Sequence, residues 1–571
     1  MHIFETYRAH VLDAVEQVLP GLKTDAITLE PPREAAHGDL STNAAMVLAG
    51  QAKQKPRDIA EKLAEKLRGL PHVTQVDVAG PGFINITLEP AAWQAVLPVI
   101  LQEGVGFGNS RIGQGQHINV EYVSANPTGP MHVGHARGAV YGDALATLLL
   151  KAGFQVTKEY YINDAGVQIG VLAESALLRY REALGETIGE IPEGLYPGEY
   201  LKGVGEALRE KYGDKLKDKP KDEQLALAKP IAIDCMMALI KGDLGDLGIH
   251  HDIFTSEQRL RDEGKIETSI KRLTELGHLY RGTLEPPKGE KPDDWEAKEQ
   301  LLFRSTAFGD DMDRTVQKSD GNYTYFAGDL ALTLDKISRG YNVLVYMLGA
   351  DHGGYVKRME AITTALSEGK VTADVKLCQL VHLYKNGEPV RMSKRAGNFV
   401  TVRDVLDEVG KDILRFVMLM RKSTQDMDFD FEKVKEQSKE NPVFYVQYAH
   451  ARAKSILRGA REQAPDAFAN ANADLSLLVH PAELALIRLI AGWPRIVEQA
   501  AVANEPHRVI YYLQEVASAF HGVWNHADDL RFILPDQPAL TAARLTLARA
   551  LATVIASGLA VCGVEPVEEL R

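Results

Sequence analysis

The segment Ser124-Ala-Asn-Pro-Thr-Gly-Pro-Met-His-Val-Gly-His135 places two prolines, two glycines and two histidines within twelve residues. The residues before it, 117–124, alternate between apolar and polar side chains and predict a strand. Residues 136–151 predict a helix that ends before Gly153, and residues 154–162 predict a second strand. This order predicts a βαβ unit of a doubly wound α/β sheet, with the quoted loop at the edge where such sheets bind ligands.

The two histidines of this loop suit an anion. His132 and His135 are three residues apart, so on the first turn of a helix they lie on one face and aim donors at one group. The helix N-terminus adds free N–H groups and partial positive charge, and Gly134 lets a base or a phosphate approach the backbone. Pro127 and Pro130 fix the backbone at the loop entry. The loop predicts a phosphate-holding site; a metal site, or two surface histidines with other partners, stay open as alternatives.

A second segment offers positive charge. Arg391-Met-Ser-Lys-Arg-Ala-Gly-Asn398 follows a strand-like run at 380–384 and a turn at 385–388. Its three cations, its serine and its glycine suit a loop that closes on a polyphosphate and neutralises a leaving pyrophosphate. A solvated run of charges is the alternative that these residues alone leave open.

The composition limits the class of protein. The chain has 571 residues and is 45% hydrophobic, enough for about three to five structural units. The first twenty residues include four charged side chains, so we expect no secretory signal. The longest uncharged helical stretch, 550–564, is shorter than the ~18 residues of a membrane span and predicts a buried helix. No GxxxxGK[ST] motif is present, which excludes P-loop chemistry.

The cysteines and the net charge indicate the compartment and the partners. Cys235, Cys378 and Cys562 are far apart and fit neither a disulfide framework nor a paired zinc site, so we expect a cytoplasmic protein. The formal net charge of −13 argues against a basic surface all around the molecule. It leaves room for a local basic face that binds nucleic acid.

Changes of pattern along the chain predict its organisation. Residues 1–101 mix helical and strand periodicity, and the glycine-rich residues 104–115 predict a linker. Residues 187–299 are charge-rich and predict a helical insertion. Residues 315–326 predict strand structure with a hairpin turn, and 341–348 predict a buried parallel strand.

The last part of the chain, from about residue 441, shows only helical periodicity and predicts a helical bundle. We therefore expect an N-terminal α+β domain, a doubly wound α/β core and a C-terminal all-α bundle. The predicted boundaries are 1–110, 111–435 and 436–571.

The two motifs resemble the HIGH and KMSKS signatures of class I aminoacyl-tRNA synthetases, in the same order along the chain. Six strings narrow the resemblance to the arginyl-tRNA synthetases over essentially the whole chain: SANPTGPMHVGHARGA, YYINDAG, YPGEY, KSDGNYTYFAGDLA, GADHGGYVKR and NPVFYVQYAHAR. The resemblance implies a Rossmann-like catalytic core, an N-terminal additional domain that contacts the elbow of tRNA, and a C-terminal bundle that binds the anticodon.

The resemblance also implies a reaction. ATP activates L-arginine to arginyl-adenylate, and the arginyl group moves to the 3′-terminal adenosine of arginine tRNA. The partners are then ATP, L-arginine and arginine tRNA; Mg²⁺ accompanies ATP, and no metal is held by the protein itself. We expect a monomer that does not associate with a membrane.

The catalytic residues implied by the resemblance are His132, His135 and Lys394. The histidines would hold the ATP phosphates and stabilise the pentavalent α-phosphorus, with Gly134 under the adenine. Asp351 would accept hydrogen bonds from the ribose; an ordinary aspartate at a strand end is the alternative. The whole set implied for ATP is Ala125, Asn126, Pro127, Thr128, Gly129, Pro130, Met131, His132, Val133, Gly134, His135, Gly349, Asp351, Met392, Ser393 and Lys394.

The KMSKS-like segment departs from the signature at two positions. Arg391 replaces the first lysine and Arg395 replaces the final serine. Guanidinium and ammonium differ in geometry, so the two histidines carry more of the expected chemistry than this segment does.

An arginine pocket has its own requirements. A guanidinium is planar, charged and rich in donors, so a selective site offers carboxylates and a carbonyl or hydroxyl in a fixed arrangement. The resemblance implies Asp329 and Tyr325 for the guanidinium, and Asn126 with Glu121 for the amino-acid backbone end and nearby groups. It also implies that His352 faces the substrate. An exposed strand carboxylate is the alternative for Glu121. Lysine would leave acceptors unpaired, so no editing domain is required.

A predicted helix near residue 441 interleaves aromatic and cationic side chains. Tyr445, Tyr448, Arg452 and Lys454 could stack on and neutralise splayed anticodon nucleotides. Apolar residues recur at helical spacing in the same stretch, so some of the aromatic side chains could instead belong to the core.

Two other functions stay open. A different class I synthetase, such as a cysteinyl one, would need a zinc site, which the scattered cysteines do not supply. A synthetase-derived binding protein without catalysis is the second, although His132, Gly134, His135 and Lys394 are all present.

Overall fold

The computed structural model describes residues 2–284, 298–390, 400–438, 440–525 and 530–569. The chain forms two compact units. The first consists of Met1–Ser110 together with Gln437–Arg571, and the second is Arg111–Glu436.

The N-terminal part of the first unit is an α+β layer. Its helices are α1 (Ile3–Val18), α2 (Ala44–Ala52), α3 (Pro56–Leu67), α4 (Pro90–Gln94) and α5 (Val96–Glu103). Its strands are β1 (Leu29–Glu30), β2 (Leu40–Thr42), β3 (Val73–Ala79) and β4 (Phe83–Leu88). They form an antiparallel sheet in the order β1-β2-β4-β3. Ile84 and Ile86 of β4 are buried with Ile59 and Leu63 of α3, because alternate strand residues and one helical face share a core.

The second unit holds most of the strands. These are β5 (His117–Glu121), β6 (Gln155–Ile162), β7 (Ile253–Ser256), β8 (Leu279–Gly282), β9 (Gln300–Phe303), β10 (Arg314–Gln317), β11 (Val343–Gly349), β12 (Thr372–Cys378), β13 (Val381–Lys385), β14 (Glu388–Pro389) and β15 (Met427–Asp430). Its helices are α6 (Val133–Lys151), α7 (Val167–Ala183), α8 (Lys202–Tyr212), α9 (Lys221–Asp246), α10 (Glu257–Asp262), α11 (Lys265–Glu275), α12 (Tyr325–Ser338), α13 (Val356–Ser367), α14 (Val402–Val409) and α15 (Lys411–Met418).

A five-stranded parallel sheet forms the core of this unit, in the order β12-β11-β5-β6-β7. The chain runs from β5 through α6 to β6, so the predicted βαβ unit is confirmed. Val343 of β11 lies opposite Ile118 of β5 on the other side. Strand order therefore reverses at β5, with β6 on one side and β11 on the other. The crevice beyond the carboxyl ends of β5 and β11 is the ligand-binding edge of such a doubly wound sheet. The predicted fold class is confirmed.

Two sequence predictions for this unit need correction. The stretch 187–299 was predicted as a helical insertion, yet it contains β7, the edge strand of the parallel sheet, and β8, a strand of a small antiparallel sheet. Residues 325 and 326 were predicted as strand, whereas α12 begins at Tyr325. The turn before it, where Gln317 pairs with Tyr323, is a hairpin as predicted.

Two small sheets complete the second unit. Strands β10-β9-β8 form an antiparallel sheet, and β14-β13-β15 form a mixed sheet in which β13 runs parallel to β15. Asn386 and Gly387 connect β13 to β14 with positive φ values of 53° and 77°, the conformation that an Asn-Gly hairpin turn requires.

The C-terminal part of the first unit is helical. It contains α16 (Pro442–Gln463), α17 (Pro465–Ala469), α18 (Pro481–Ala491), α19 (Trp493–Ala503), α20 (His507–Asn525) and α21 (Pro538–Cys562). Helix α21 is long and apolar enough to cross a membrane, but 78% of its most apolar window is buried inside the protein, where it packs against α5, α16 and α20. The Trp493 indole donates to Phe107 O at 3.0 Å, which bonds the bundle to the N-terminal residues.

Candidate active site

The loop after β5 begins with unusual backbone geometry. Val123 and Ser124 have φ values of 70° and 40°. Left-handed conformations of non-glycine residues cost about 1–3 kcal/mol each, most for a β-branched residue, and occur mainly at functional sites. Local hydrogen bonds hold the strain: Ser124 N donates to Tyr122 O at 3.0 Å, and Tyr160 Oη donates to Ala125 O at 2.7 Å. The chain therefore turns sharply from the sheet into the loop.

The two predicted histidines lie together at the start of α6. The imidazole rings of His132 and His135 stack with 3.8 Å between centroids and 24° between planes. His132 N donates to His135 Nδ1 at 3.3 Å, and His132 is the N-cap of the helix. A Cβ at position 134 would come within 2.9 Å of the His132 ring, so glycine leaves room for the ring in this position. Two half-buried imidazoles thus lie side by side at a helix N-terminus.

The rest of the predicted ATP loop is supported on one side by α7 and by Tyr200. Tyr200 Oη donates to Thr128 O at 3.0 Å, and a Cβ on Gly129 would come within 2.9 Å of the same hydroxyl. Asn126 is exposed and donates to Gln168 Oε1 at 3.0 Å. Pro127 is buried and Pro130 half-buried, so the loop has a fixed outline.

The other side of the loop contacts the chain just after the KMSKS-like segment. Val133 N donates to Val400 O at 3.1 Å, and Val402 N donates to Met131 O at 2.8 Å. Residues 391–399, with the predicted Met392, Ser393 and Lys394 and the departures Arg391 and Arg395, lie outside the described residues. Their C-terminal neighbour is nevertheless bonded beside the histidines.

Asp351 follows the next strand of the sheet, at the end of β11. Its carboxylate is 82% exposed, so it is open to a ligand. A Cβ on Gly349 would come within 2.5 Å of Asp351 Oδ1, so glycine is needed for the carboxylate to lie over the backbone. His352 Nε2 lies 3.8 Å from Asp351 Oδ2, and the His352 ring packs edge-on against Tyr355 at 5.4 Å.

A cluster of carboxylates lies at the same edge. Burial, followed by the negative charges of Glu257 and Glu121, raises the pKa of Asp329 to about 7, while Arg358 opposes the shift. Burial and the same three carboxylates raise the pKa of Tyr161, whose hydroxyl donates to Glu257. Three carboxylates from β5, α10 and α12 therefore face one region, and their mutual repulsion favours a cation there.

Glu121 is one of two carboxylates in this cluster that pair with a cation of the protein. It is only 5% exposed, so the alternative of an exposed strand carboxylate is wrong. Its Oε2 lies 2.6 Å from Lys336 Nζ, and its Oε1 accepts from Ser124 Oγ at 3.1 Å. Burial of Lys336 opposes its charge, but Glu121 and Glu159 outweigh burial and raise its pKa. The ion pair fixes α12, and with it Asp329, against β5.

Two residues of this region, Glu257 and Tyr161, were not predicted from the sequence. One predicted residue, Tyr325, lies at its exposed side. Glu257 is buried at the first position of α10 and binds Arg261 at 2.6 Å. Tyr161 belongs to the string YYINDAG, so only that string signalled it. The predicted Tyr325 lies one turn before Asp329 on α12 and is 66% exposed.

The predicted tRNA-binding residues all lie on α16 in the first unit. The Arg452 guanidinium lies 4.1 Å from the Tyr448 ring centroid and 4.6 Å from that of Trp524. Tyr445 packs on His521 at 4.5 Å, and Lys454 pairs with Glu568 at 2.9 Å. All four predicted residues are half-buried, so each contributes both to packing and to the surface.

One group of described residues has ligand atoms close enough to share a metal: His2, Glu5 and Glu498. His2 Nδ1 already accepts from Glu5 N at 3.3 Å, and Glu498 Oε1 accepts from Ser110 Oγ at 2.6 Å. Two of these possible metal ligands therefore already take part in hydrogen bonds within the protein.

The described crevice combines a histidine pair at a helix N-terminus, an exposed strand-end aspartate and a cluster of three carboxylates. Comparison with known proteins agrees with this arrangement. The family described as "tRNA synthetases class I (R), catalytic domain" matches residues 96–188 and 296–454. The "Arginyl tRNA synthetase N terminal domain" matches residues 5–88, and the "DALR anticodon binding domain" matches residues 446–570.

Whole-chain relatives narrow the class further. The chain is 58% identical to the arginine–tRNA ligase of Parvibaculum lavamentivorans and 56% identical to that of Ruegeria pomeroyi, with 100% of both chains covered in each case. Its fold matches the Thermus thermophilus arginyl-tRNA synthetase structure with a TM-score of 0.76 at 20% identity, over 99% of this chain and 100% of that one. The fold and the matched catalytic domain define an enzyme of the class I aminoacyl-tRNA synthetases, a class that uses ATP. Within that class, the chain belongs to the arginyl-tRNA synthetase family.

Proposed function

We propose that this chain ligates L-arginine to arginine tRNA, with the crevice between β5 and β11 as its active site. A carboxylate oxygen of arginine attacks the α-phosphorus of ATP, and pyrophosphate leaves. A ribose hydroxyl of the terminal adenosine then attacks the arginyl carbonyl, and AMP leaves. The observation that carries the arginine assignment is the cluster of Asp329, Glu257 and Glu121 beside the histidine loop.

The histidine loop holds the triphosphate. His132 and His135 lie at the positive end of α6, where imidazole N–H groups and backbone amides favour the charge that grows on the α-phosphoryl oxygens. Asp351 accepts hydrogen bonds from the ribose hydroxyls, and Lys394 neutralises the charge of the leaving pyrophosphate. Mg²⁺ enters with the substrate, bound to the ATP phosphates.

The acidic pocket selects arginine. Glu121 is already paired with Lys336, and Glu257 with Arg261, so Asp329 carries the charge that a guanidinium neutralises. Asp329 provides the carboxylate, Tyr325 closes the pocket from the start of α12, and Tyr161 orients Glu257 through its hydroxyl. Asn126 and His352 bind the amino-acid end. Lysine has too few donors for this set, and its binding leaves a buried acceptor unpaired.

The bundle binds the anticodon, and the N-terminal domain binds the elbow of tRNA. Support comes from the family matches at 446–570 and 5–88, and from the Tyr448, Arg452 and Trp524 stack, whose rings and guanidinium suit unstacked bases. We assign residues 1–110, 111–435 and 436–571 to the three domains. The enzyme acts as a cytoplasmic monomer away from membranes.

A charging assay tests this function. The protein is incubated with ATP, bulk tRNA and each of the twenty amino acids in labelled form, and label on acid-precipitated tRNA is counted. Of the twenty amino acids, only arginine is expected to label tRNA. The proposal would be contradicted if another amino acid labelled tRNA at a similar rate, or if no amino acid labelled it.

A further inference from the structure

The loop after β6 carries an aspartate, Asp164, that has no place in the function above. It belongs to the string YYINDAG and is only 9% exposed. Its carboxylate bonds to the junction of β7 and α10: Oδ2 accepts from Ser256 Oγ at 2.6 Å, and Oδ1 accepts from Gln258 N at 2.8 Å. One carboxylate therefore holds the residues on both sides of Glu257.

These bonds fix the start of α10. Ser256 is the last residue of β7 and the N-cap of α10, and its Oγ also accepts from Arg259 N at 3.0 Å. The N–H of Gln258 lies in the first turn, where a helix leaves its amide donors without partners inside the helix. Asp164 thus supplies an acceptor to both the cap and the first turn, and it limits how far Glu257 can shift along the edge of the sheet.

The Glu257 carboxylate in turn lies beside α12. A Cβ on Gly328 would lie 3.4 Å from Glu257 Oε1 and 4.0 Å from Tyr161 Oη, so both groups lie close to the helix backbone next to Asp329. Arg261 donates to the same Oε1 through Nε at 3.0 Å and Nη2 at 2.6 Å. The position of the Glu257 carboxylate relative to Asp329 therefore depends on where α10 begins.

We propose that Asp164 is a positioning residue for arginine recognition. By bonding Ser256 and Gln258 it fixes the Glu257 carboxylate beside Asp329, so that the carboxylate cluster keeps the arrangement that favours a guanidinium. Asp164 acts through Glu257 and not by contact with the substrate. This inference rests on the proposed function, in which that cluster selects arginine.

The first test is Asp164→Ala, assayed by ATP–pyrophosphate exchange with arginine and saturating arginine tRNA. The KM for arginine should rise about 10- to 100-fold, because a displaced carboxylate weakens charge-assisted hydrogen bonds in the cluster. The KM for ATP should stay within about threefold, since the histidine loop and Asp351 are untouched. General damage to the fold would instead lower kcat or raise both KM values together.

Asp164→Asn separates hydrogen bonding from charge. The amide oxygen can accept from Gln258 N, and the amide NH₂ can donate to Ser256 Oγ, so both bonds survive while the negative charge is lost. The KM for arginine should therefore stay within about threefold of the parental value. If Asp164→Asn behaves like Asp164→Ala, the residue acts through its charge and the positioning role is wrong.

Ser256→Ala removes one of the two bonds and leaves Asp164 in place. It should raise the KM for arginine about 3- to 10-fold and leave the KM for ATP unchanged. This variant decides the matter if Asp164→Ala is unfolded at the assay temperature.

A double-mutant cycle with Glu257→Gln identifies the residue through which Asp164 acts. Glu257→Gln should itself raise the KM for arginine, because the cluster loses one negative charge. In that background Asp164→Ala should cost less than about threefold, since the group that it positions is already altered. Losses that multiply would show that Asp164 does not act through Glu257.

Asp252→Ala is the matched control. Asp252 directly precedes β7 and also ties it to β6: its Oδ2 accepts from Lys158 N at 2.8 Å, and its own N donates to Lys158 O at 2.8 Å. Its carboxylate does not bond to either neighbour of Glu257. The KM for arginine should remain parental in this variant, even if Tm falls.

The proposal is overturned if the folded members of the pair Asp164→Ala and Ser256→Ala show the parental KM for arginine, or if both are unfolded, because the contact would then be structural. It is also overturned if Asp252→Ala raises the KM for arginine equally, because any weakening of the β6–β7 edge would then suffice. If the parent itself shows no exchange with arginine, the proposed function fails instead, and the same assay reveals it.

Discussion

The imidazole rings of His132 and His135 stack 3.8 Å apart at the start of α6, and Gly134 makes room for the first of them. This pair occupies the turn between β5 and α6, where a doubly wound sheet presents its helix N-terminus to a ligand. The two stacked rings support each other, so each histidine depends on the other for its place.

His135→Ala should lower the rate of arginine activation about 10²- to 10³-fold, because the ring acts on charge that grows in the transition state. Arginine affinity should change little, since the pocket carboxylates remain. Stopped-flow or exchange kinetics at saturating ATP measure the rate, and calorimetry measures arginine binding. A rate within about threefold of the parent would contradict the phosphate role of His135.

Asp329→Asn should weaken arginine recognition by about 2–4 kcal/mol, since the fold keeps its shape while the guanidinium loses its carboxylate. ATP binding should be largely spared. Titration of ATP and of arginine into the variant and the parent measures the change in affinity for each ligand. Equal weakening of ATP and arginine would point to a damaged fold and away from a specific pocket.

Arginine affinity should depend on pH through Asp329. Its folded-state pKa is about 7, raised above the usual aspartate value, so it is largely protonated below pH 7 and charged above it. Affinity for arginine should therefore rise from pH 6 to pH 8, and Asp329→Asn should lose that slope. The same pKa shift affects the stability of the protein without ligand. Its stabilising contribution is fully present below pH ~4, the usual aspartate pKa in the unfolded chain, and is lost as the pH rises through about 7. Calorimetry across this range, with and without the substitution, tests both signs.

Lys336→Met should destabilise the protein by about 3–5 kcal/mol, because it leaves the buried Glu121 carboxylate without its ion pair. Pairing it with Glu121→Gln should restore much of the loss. Thermal unfolding of the single and double variants measures this. Equal Tm values for Lys336→Met and the parent would contradict the ion pair.

Tyr448→Ala should weaken tRNA binding by about 1–3 kcal/mol if a base stacks on that ring. Lys454→Ala should act mainly through charge and lower the salt dependence of binding by about one unit of slope. Filter binding at several salt concentrations separates the two. Unchanged Kd values for both variants would place the anticodon surface elsewhere.

Local patterns predicted much of this molecule. The strand, loop, helix and strand around residues 117–162, the Asn386–Gly387 turn and the buried helix at 550–564 all follow from periodicity and turn chemistry within short windows. These features depend on neighbours in sequence, so the sequence indicates them directly.

Other features depend on contacts across long separations. Glu257 joins Asp329 only because β7 completes the sheet, and β7 is four residues long within a charged, mostly helical stretch. The positive φ of Val123 contradicts the preference of a β-branched residue, and tertiary hydrogen bonds impose it. The three backbone carbonyls that accept from Arg137 come from segments distant in sequence, so no local pattern indicates these bonds.

ATP–pyrophosphate exchange is the most direct test of the central claim that this crevice forms arginyl-adenylate. If bound tRNA biases the catalytic conformation, exchange with arginine should be near background without tRNA and rise on adding arginine tRNA. Lysine should give no exchange in either condition. Exchange with lysine at a rate similar to arginine would contradict the selective pocket, and no exchange with arginine under any condition would contradict the active site.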